Sequence, residues 1–210
     1  MKRILVVGGG GHAKVVLSIL KKHGKYRVLG YTDLREKSPI LGVPYLGNDD
    51  SIGALWSQQR RPNAVLGVGQ IGTGAVRLNL WRRLKPFSLK FPSIVSPAAV
   101  VNESVTLGDA TVVMDGAVIN SGTIVGTGVI VNTNATIEHD VAVSDWVHIA
   151  PGCTISGGVT IGRFSLIGAG AIVIQGISIA ESCVIGAGAV VVRNLTEGGV
   201  YAGIPARRIK

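Results

Sequence analysis

The sequence predicts two units in series: an α/β unit over residues 1–93 and an all-β parallel solenoid over residues 94–195, followed by a tail over residues 196–210. Three observations carry that reading. A strict six-residue repeat of aliphatic residues is confined to the second unit, and a glycine-rich turn joins a strand-like run to an apolar-periodic run near the start. The charge also changes abruptly between the units: residues 1–93 hold 16 Lys and Arg against 4 Asp and Glu, a balance of +12, whereas residues 94–210 hold 5 against 8, a balance of −3. With 47% of its 210 residues hydrophobic and only 16% charged, the chain is apolar enough to bury a core and is not disordered.

The first unit reads in order. Arg3-Ile4-Leu5-Val6-Val7 is a strand, Gly8-Gly9-Gly10-Gly11-His12-Ala13-Lys14 is a turn opening a helix, and Val15-Val16-Leu17-Ser18-Ile19-Leu20 gives that helix its apolar periodicity. Lys21-Lys22-His23-Gly24-Lys25 ends the helix as a solvated basic cap. Tyr26 to Asp33 forms a second strand, Ala64 to Gly69 a third, and a helix carrying Arg77, Arg82 and Arg83 comes after it. That is about half of a Rossmann-like dinucleotide fold. A glycine turn at a helix start aims backbone N–H groups and the positive end of the helix at a phosphate, which suits a diphosphate ligand. The run also satisfies G-x-G-x-x-A, with Asp33 about where a ribose-binding acid would stand, so a dehydrogenase is a competing reading. Half a fold holds one nucleotide with one diphosphate, and this favours a nucleotide-sugar.

In the second unit every sixth position from Val95 to Val191 is Val, Ile or Leu, seventeen in succession. Because these residues fill 34 of the 100 positions from 95 to 194, chance would give such a run about once in a hundred million. Period six is not a helix period. Small or apolar residues stand four places after each aliphatic, and Gly, Asn, Ser and Asp crowd the places between, so each hexad is a short strand and a turn. Such a unit buries its aliphatic side chain only by stacking on copies of itself, which makes a parallel β-helix.

Several classes are excluded or disfavoured. Gly, Asn and Asp interrupt every long apolar stretch, and no cleavable apolar segment follows Met1-Lys2-Arg3, so neither a membrane span nor a secretory signal is expected and the protein is expected in the cytoplasm. Cys153 and Cys183 have no metal or redox spacing, and thirty residues apart they fall on different faces of a coil, which argues against a disulfide. Basic residues come singly or in pairs (Lys21-Lys22, Arg60-Arg61, Arg82-Arg83) without interleaved aromatics, so nucleic acid is not the expected partner.

The hexads Leu107-Gly108, Val125-Gly126, Ile161-Gly162, Ile167-Gly168 and Ile185-Gly186 resemble those of the left-handed β-helix acyltransferases, in which three hexads close one triangular coil. The Gly-Gly-His-Ala-Lys turn, the Tyr-Thr-Asp end of the second strand, the Gly-x-Gly-Gln end of the third and the tail Gly199 to Arg207 extend the likeness over nearly the whole chain. Together they resemble the bacterial sugar-nucleotide acetyltransferases that modify nucleotide-linked amino sugars for glycans and surface polysaccharides. Left-handedness, a homotrimer and an acetyl-CoA site in the groove between neighbouring prisms are implied by that resemblance. It also implies Gly10, Gly11, His12, Asp33, Gly69 and Arg77 as contacts to the nucleotide-sugar. Gly168, Ala169, Ala187, Pro205 and Arg208 become contacts to coenzyme A, and His148 a residue near the acetyl group.

Acetyl transfer from a thioester to an amine needs a base that titrates near neutrality within reach of the nucleophile. His139, two residues after the inward Ile137 and flanked by Glu138 and Asp140, lies on a turn outside the coil and fits that role. Asp140 matches the family's acidic partner, usually Glu, and would fix the tautomer of the imidazole. Asn132 matches the family motif as a residue that could hold substrate or the imidazole. Gly157 matches the family's backbone donor to the thioester oxygen. Two carboxylates beside one histidine have no second ligand at a metal-binding spacing, so no metal is expected. Neither cysteine, at an inward position, is a nucleophile, and direct transfer without an acetyl-enzyme follows. The expected activity is N-acetylation of an amino sugar, a 4-amino-4,6-dideoxyhexose. O-acetylation of a sugar or sialic acid hydroxyl and a non-catalytic sugar-nucleotide-binding trimer are the alternatives.

Overall fold

A computed structural model describes residues 1–36, 38–55 and 62–210; Arg60 and Arg61 fall outside the described residues. The first unit is a three-stranded parallel sheet ordered β2-β1-β3, built from β1 (Lys2–Val7), β2 (Tyr26–Thr32) and β3 (Asn63–Leu66). The first strand is central and runs without polar residues from Ile4 to Val7, which are fully buried, as a strand covered on both faces requires. Helix α1 (Gly11–His23) buries Ala13, Val16, Leu17, Ile19 and Leu20, and Gly24 ends it at φ 67°. The short α2 (Ser51–Leu55) precedes β3, and α3 (Ala75–Leu84) follows it. The third strand ends at Leu66, three residues before the Gly69 end expected of it, because Gly67 to Gln70 turn away toward the second unit. Among the described residues no helix is long and apolar enough to cross a membrane.

From Ile94 onward the chain winds through seventeen short strands, Ile94–Val95 to Val190–Val191, in three parallel sheets. Paired residues are eighteen apart throughout, as in Ile130 with His148 and Thr136 with Thr154, so three hexads close each coil. The architecture is the left-handed β-helix expected. We number the faces from their first strands: Ile94–Val95 opens the first face, Val100–Val101 the second and Thr106–Leu107 the third. Val113, Ile119, Val125, Val131, Ile137 and their successors fill the interior together with Ala117, Val129, Ala135, Cys153 and Cys183. One residue of each hexad from Ser104 to Gly188 has positive φ, at fifteen turns in succession. Glycine occupies eight of these, while Asn134, Asp140 and Trp146 are among the others. The hexad therefore turns a corner by one left-handed residue, and that is why Gly, Asn and Asp crowd the turns.

The α/β unit sits on the first face. Ile94, Val112 and Ile130, whose side chains alternate with the inward ones, are fully buried in a cluster with Ile4, Val16 and Leu20. Val100 on the second face and Ile124 on the third remain exposed.

Candidate active site

His139 lies at the vertex between the second and third faces, in the turn from Thr136–Ile137 to Ala142–Val143. Its Nδ1 is 2.9 Å from Oδ2 of Asp140, and both side chains are exposed, at 59% and 72%. A carboxylate only accepts, so Nδ1 is the donor of the pair, and in the neutral tautomer that fits this contact Nε2 is the nitrogen with the lone pair. Asp140 adopts φ 57°, the left-handed corner position, which swings its carboxylate beside the preceding ring. Glycines flank the pair on the neighbouring coils. A Cβ on Gly157 would stand 2.6 Å from both Cε1 and Nε2 of His139, and one on Gly122 would stand 2.5 Å from Oδ1 of Asp140. The ring edge that carries Cε1 and Nε2 thus lies against the bare backbone of Gly157. On the same vertex Asn102 donates to Asn120 (2.6 Å), and Asn120 to Oε2 of Glu138 (2.9 Å). This ladder beside the base was not anticipated from sequence, although two asparagines one coil apart below Glu138 were its signal.

Asn132 and His148 come together, but at a different place. His148 points outward from the first face into the α/β unit and is 8% exposed. Its Nδ1 donates to the carbonyl of Gln70 (3.0 Å), and its Nε2 accepts from Nδ2 of Asn132 (3.0 Å). Oδ1 of Asn132 takes the N–H of Thr133, which fixes the orientation of the amide. Asn132 therefore holds an imidazole, one of its two anticipated roles, and the imidazole is that of His148. With both ring nitrogens bonded inside the chain, His148 has no polar ring atom left for a thioester. Burial, with a further contribution from Arg77, pulls its pKa down to about 4.

Arg77 is also at this junction, fully buried on α3. It donates to the carbonyls of Val68 and, at 3.5 Å, Gly128, so it bridges the two units and has no surface open to a ligand. Burial lowers its pKa to about 9, which leaves it charged at neutral pH. His12 is pushed down to about 3 by burial, then by Arg77 and His148. Its Nε2 is buried without a partner among the described residues, as are Oε1 of Gln70 and Nε of Arg77. Gly69 lies against this ring: a Cβ there would stand 3.4 Å from that of His12.

At the C-terminal edge of the sheet, Gly10 and Gly11 begin α1 with nothing within 4 Å of where a Cβ would be, leaving the helix N-terminus open to a ligand. Asp33 at the end of β2 accepts the N–H of Gly9 at 2.8 Å. It lines a hollow of about 380 Å³ with Gly8, Val68, Val76, Asn79 and Arg83.

Gly168 and Ala169, with Ala187 one coil beyond Ala169, lie along the vertex between the first and second faces, which is not the vertex of His139 and Gly157. The tail extends that same vertex: Gly203 accepts from Val190, and Ala206 donates to its carbonyl, with exposed Pro205 between them. Arg208 is exposed and paired with Glu197 at 2.7 Å. Both cysteines are buried and free, and burial pushes the Cys153 thiol up to about 11. Among the described residues no three His, Cys, Asp or Glu stand close enough to hold a metal ion.

A left-handed hexapeptide β-helix carrying an exposed histidine–carboxylate pair, with a half-Rossmann-like unit on one face, defines a hexapeptide acyltransferase with a nucleotide-binding domain. The family model of the PglD N-terminal domain matches residues 3–84. The acetyltransferase domain of PglB from Neisseria gonorrhoeae is 32% identical, with a TM-score of 0.91 and 100% of both chains covered. It has also been solved in complex with acetyl coenzyme A. PerB from Caulobacter crescentus, solved in complex with CoA and GDP-perosamine, is 33% identical over 100% of this chain and 98% of its own, with a TM-score of 0.92. The UDP-N-acetylbacillosamine N-acetyltransferase of Bacillus subtilis is 34% identical over 112 residues, 53% of this chain; the match spans half the length of that relative. The chain belongs to the sugar-nucleotide N-acetyltransferases of the hexapeptide-repeat family.

Proposed function

We propose that this protein uses acetyl-CoA to acetylate the amine of a nucleotide-linked amino sugar, a 4-amino-4,6-dideoxyhexose, as a cytoplasmic homotrimer serving glycan or surface polysaccharide synthesis. The observation that carries this reading is the His139–Asp140 pair, with Nδ1 on the carboxylate and Nε2 beside the Gly157 backbone. Acetyl-CoA bound to the Neisseria domain, and CoA with GDP-perosamine bound to the Caulobacter protein, support it.

The sugar amine, in its neutral form, attacks the thioester carbonyl carbon while Nε2 of His139 removes its proton. The oxyanion that forms is met by the backbone N–H of Gly157. Collapse of the tetrahedral intermediate breaks the carbon–sulfur bond, the proton on His139 goes to the departing thiolate, and the products are the amide and CoA. Gly10, Gly11, His12, Asp33 and Gly69 hold the nucleotide-sugar; Gly168, Ala169, Ala187, Pro205 and Arg208 line the pantetheine and phosphates of CoA. Arg77 acts from beneath, by supporting Val68.

The test is thiol release from acetyl-CoA with UDP-, GDP- and dTDP-linked 4-amino-4,6-dideoxyhexoses, each beside its 4-hydroxy counterpart. Consumption of an amino sugar alone is expected. Consumption of the hydroxy sugar instead would make the enzyme an O-acetyltransferase, and binding of NADH without any nucleotide-sugar would overturn the reading.

A further inference from the structure

The contacts around His148 have a consequence for the nucleotide pocket. Residues 67–74 connect β3 to α3, and the segment 67–77, which runs on into the first turn of α3, supplies two walls of the 380 Å³ hollow that Asp33 also lines, Val68 and Val76. This segment reaches the coil at three points. His148 donates to the Gln70 carbonyl at 3.0 Å, Arg77 joins the carbonyls of Val68 and Gly128, and Gly74 lies so close to Trp146 that a Cβ would stand 2.4 Å from its carbonyl oxygen. At the first of these points a side chain of the coil grips a backbone carbonyl of the segment, and Asn132 on the coil below holds the other ring nitrogen at 3.0 Å. A buried ring bonded at both ends has one orientation, so the carbonyl it grips is fixed relative to the coil. We propose that His148 is a positioning residue: held by Asn132, it pins the 67–77 segment to the β-helix and so keeps the walls of the nucleotide pocket in place without touching the acetyl group. The pocket's occupant rests on the function proposed above; the pin itself does not.

Two substitutions separate the two ring nitrogens. His148→Phe keeps the volume and loses both bonds, whereas His148→Asn retains a donor at the place of Nδ1 for the Gln70 carbonyl. Hydrogen exchange decides the pin independently of any ligand: the amides of Gly67 and Leu78, which bond the carbonyls of Val7 and Gly74 at the two ends of the segment, should exchange about tenfold faster or more in His148→Phe and near the native rate in His148→Asn. Unchanged protection in the Phe variant overturns the pin. Gly74→Ala, which forces the segment away from Trp146 elsewhere, should loosen the same amides. In steady-state kinetics the Phe variant should raise the KM for the nucleotide-sugar about tenfold while the KM for acetyl-CoA stays within about twofold, and the Asn variant should restore most of the loss. The reverse split, with acetyl-CoA affected and the nucleotide-sugar not, would place His148 at the thioester and overturn the proposal. Calorimetric titration of the native protein with UDP, GDP and dTDP keeps the two readings apart. Failure of all three to bind defeats the nucleotide-sugar function, while the exchange rates still decide the pin.

Discussion

At the scale of single residues the site rests on one imidazole lying over one glycine. His139→Ala removes the only ring at its vertex and should lower turnover about a hundredfold or more while circular dichroism and assembly stay native, because the side chain is exposed and fills no core. Unchanged thiol release in that variant would remove His139 from the mechanism. Gly157→Ala probes the same geometry from below. Its methyl group would stand 2.6 Å from Nε2, and the exposed ring can swing aside, so the fold should survive while the displaced base cuts turnover by about tenfold or more. The pair His139-Asp140 was legible in the sequence because adjacent residues at a corner of a known period must be outside and close together. The partner of Nδ1 of His148 was not legible: it is a backbone carbonyl 78 residues away, and a carbonyl leaves no mark on sequence. Arg77 was misjudged for a related reason. The family resemblance implied it as a contact to the nucleotide-sugar, and only packing reveals that the guanidinium is sealed under two carbonyls.

At the scale of elements, the left-handed residue at each corner makes the coil predictable and locally testable. Gly152 has φ 67° and open space where a side chain would go, so Gly152→Ala isolates the backbone cost and should destabilise the protein by about 1 kcal/mol in urea unfolding. The period of six was plain in sequence because each hexad must present an aliphatic to the same interior; the docking of α1 and β1 on the first face was not, since Ile94, Val112 and Ile130 look like any other strand residues. The junction between the elements has its own acid sensitivity. His12 and His148 are neutral when folded, with pKa values lowered to about 3 and about 4, whereas an unfolded histidine titrates near 6.5. The unfolded state therefore binds more protons between those values, so stability is full above pH 6.5 and falls as the pH drops toward 4, by on the order of 3 kcal/mol for His148 alone. Thermal midpoints from pH 7.5 to 4.5 should decline, and the decline should be shallower in His148→Asn; parallel curves would show that His148 does not carry the effect.

At the scale of the whole molecule, the topology separates the two halves of the proposed reaction. The α/β unit covers the first face, and His139 is at the opposite vertex, between the second and third. Gly168, Ala169 and Ala187 occupy yet another vertex, between the first and second faces, a full face away from Gly157. A sugar held by a chain's own α/β unit is thus on the wrong side of the prism from that chain's own base. In a threefold assembly of prisms side by side, the nucleotide unit of one copy would present its sugar to His139 of the next, with CoA along the seam. Two inactive variants can decide this. His139→Ala abolishes the base. Gly10→Asp sets a negative charge at the open N-terminus of α1, where a side chain meets nothing within 4 Å, and repels the diphosphate without disturbing the fold. If each site combines two copies, trimers formed at random from equal amounts of the two variants contain about one native site in four, so co-refolded material should regain about a quarter of native turnover. If each site is complete within one chain, every site carries one lesion or the other and the mixture stays as inactive as its parents.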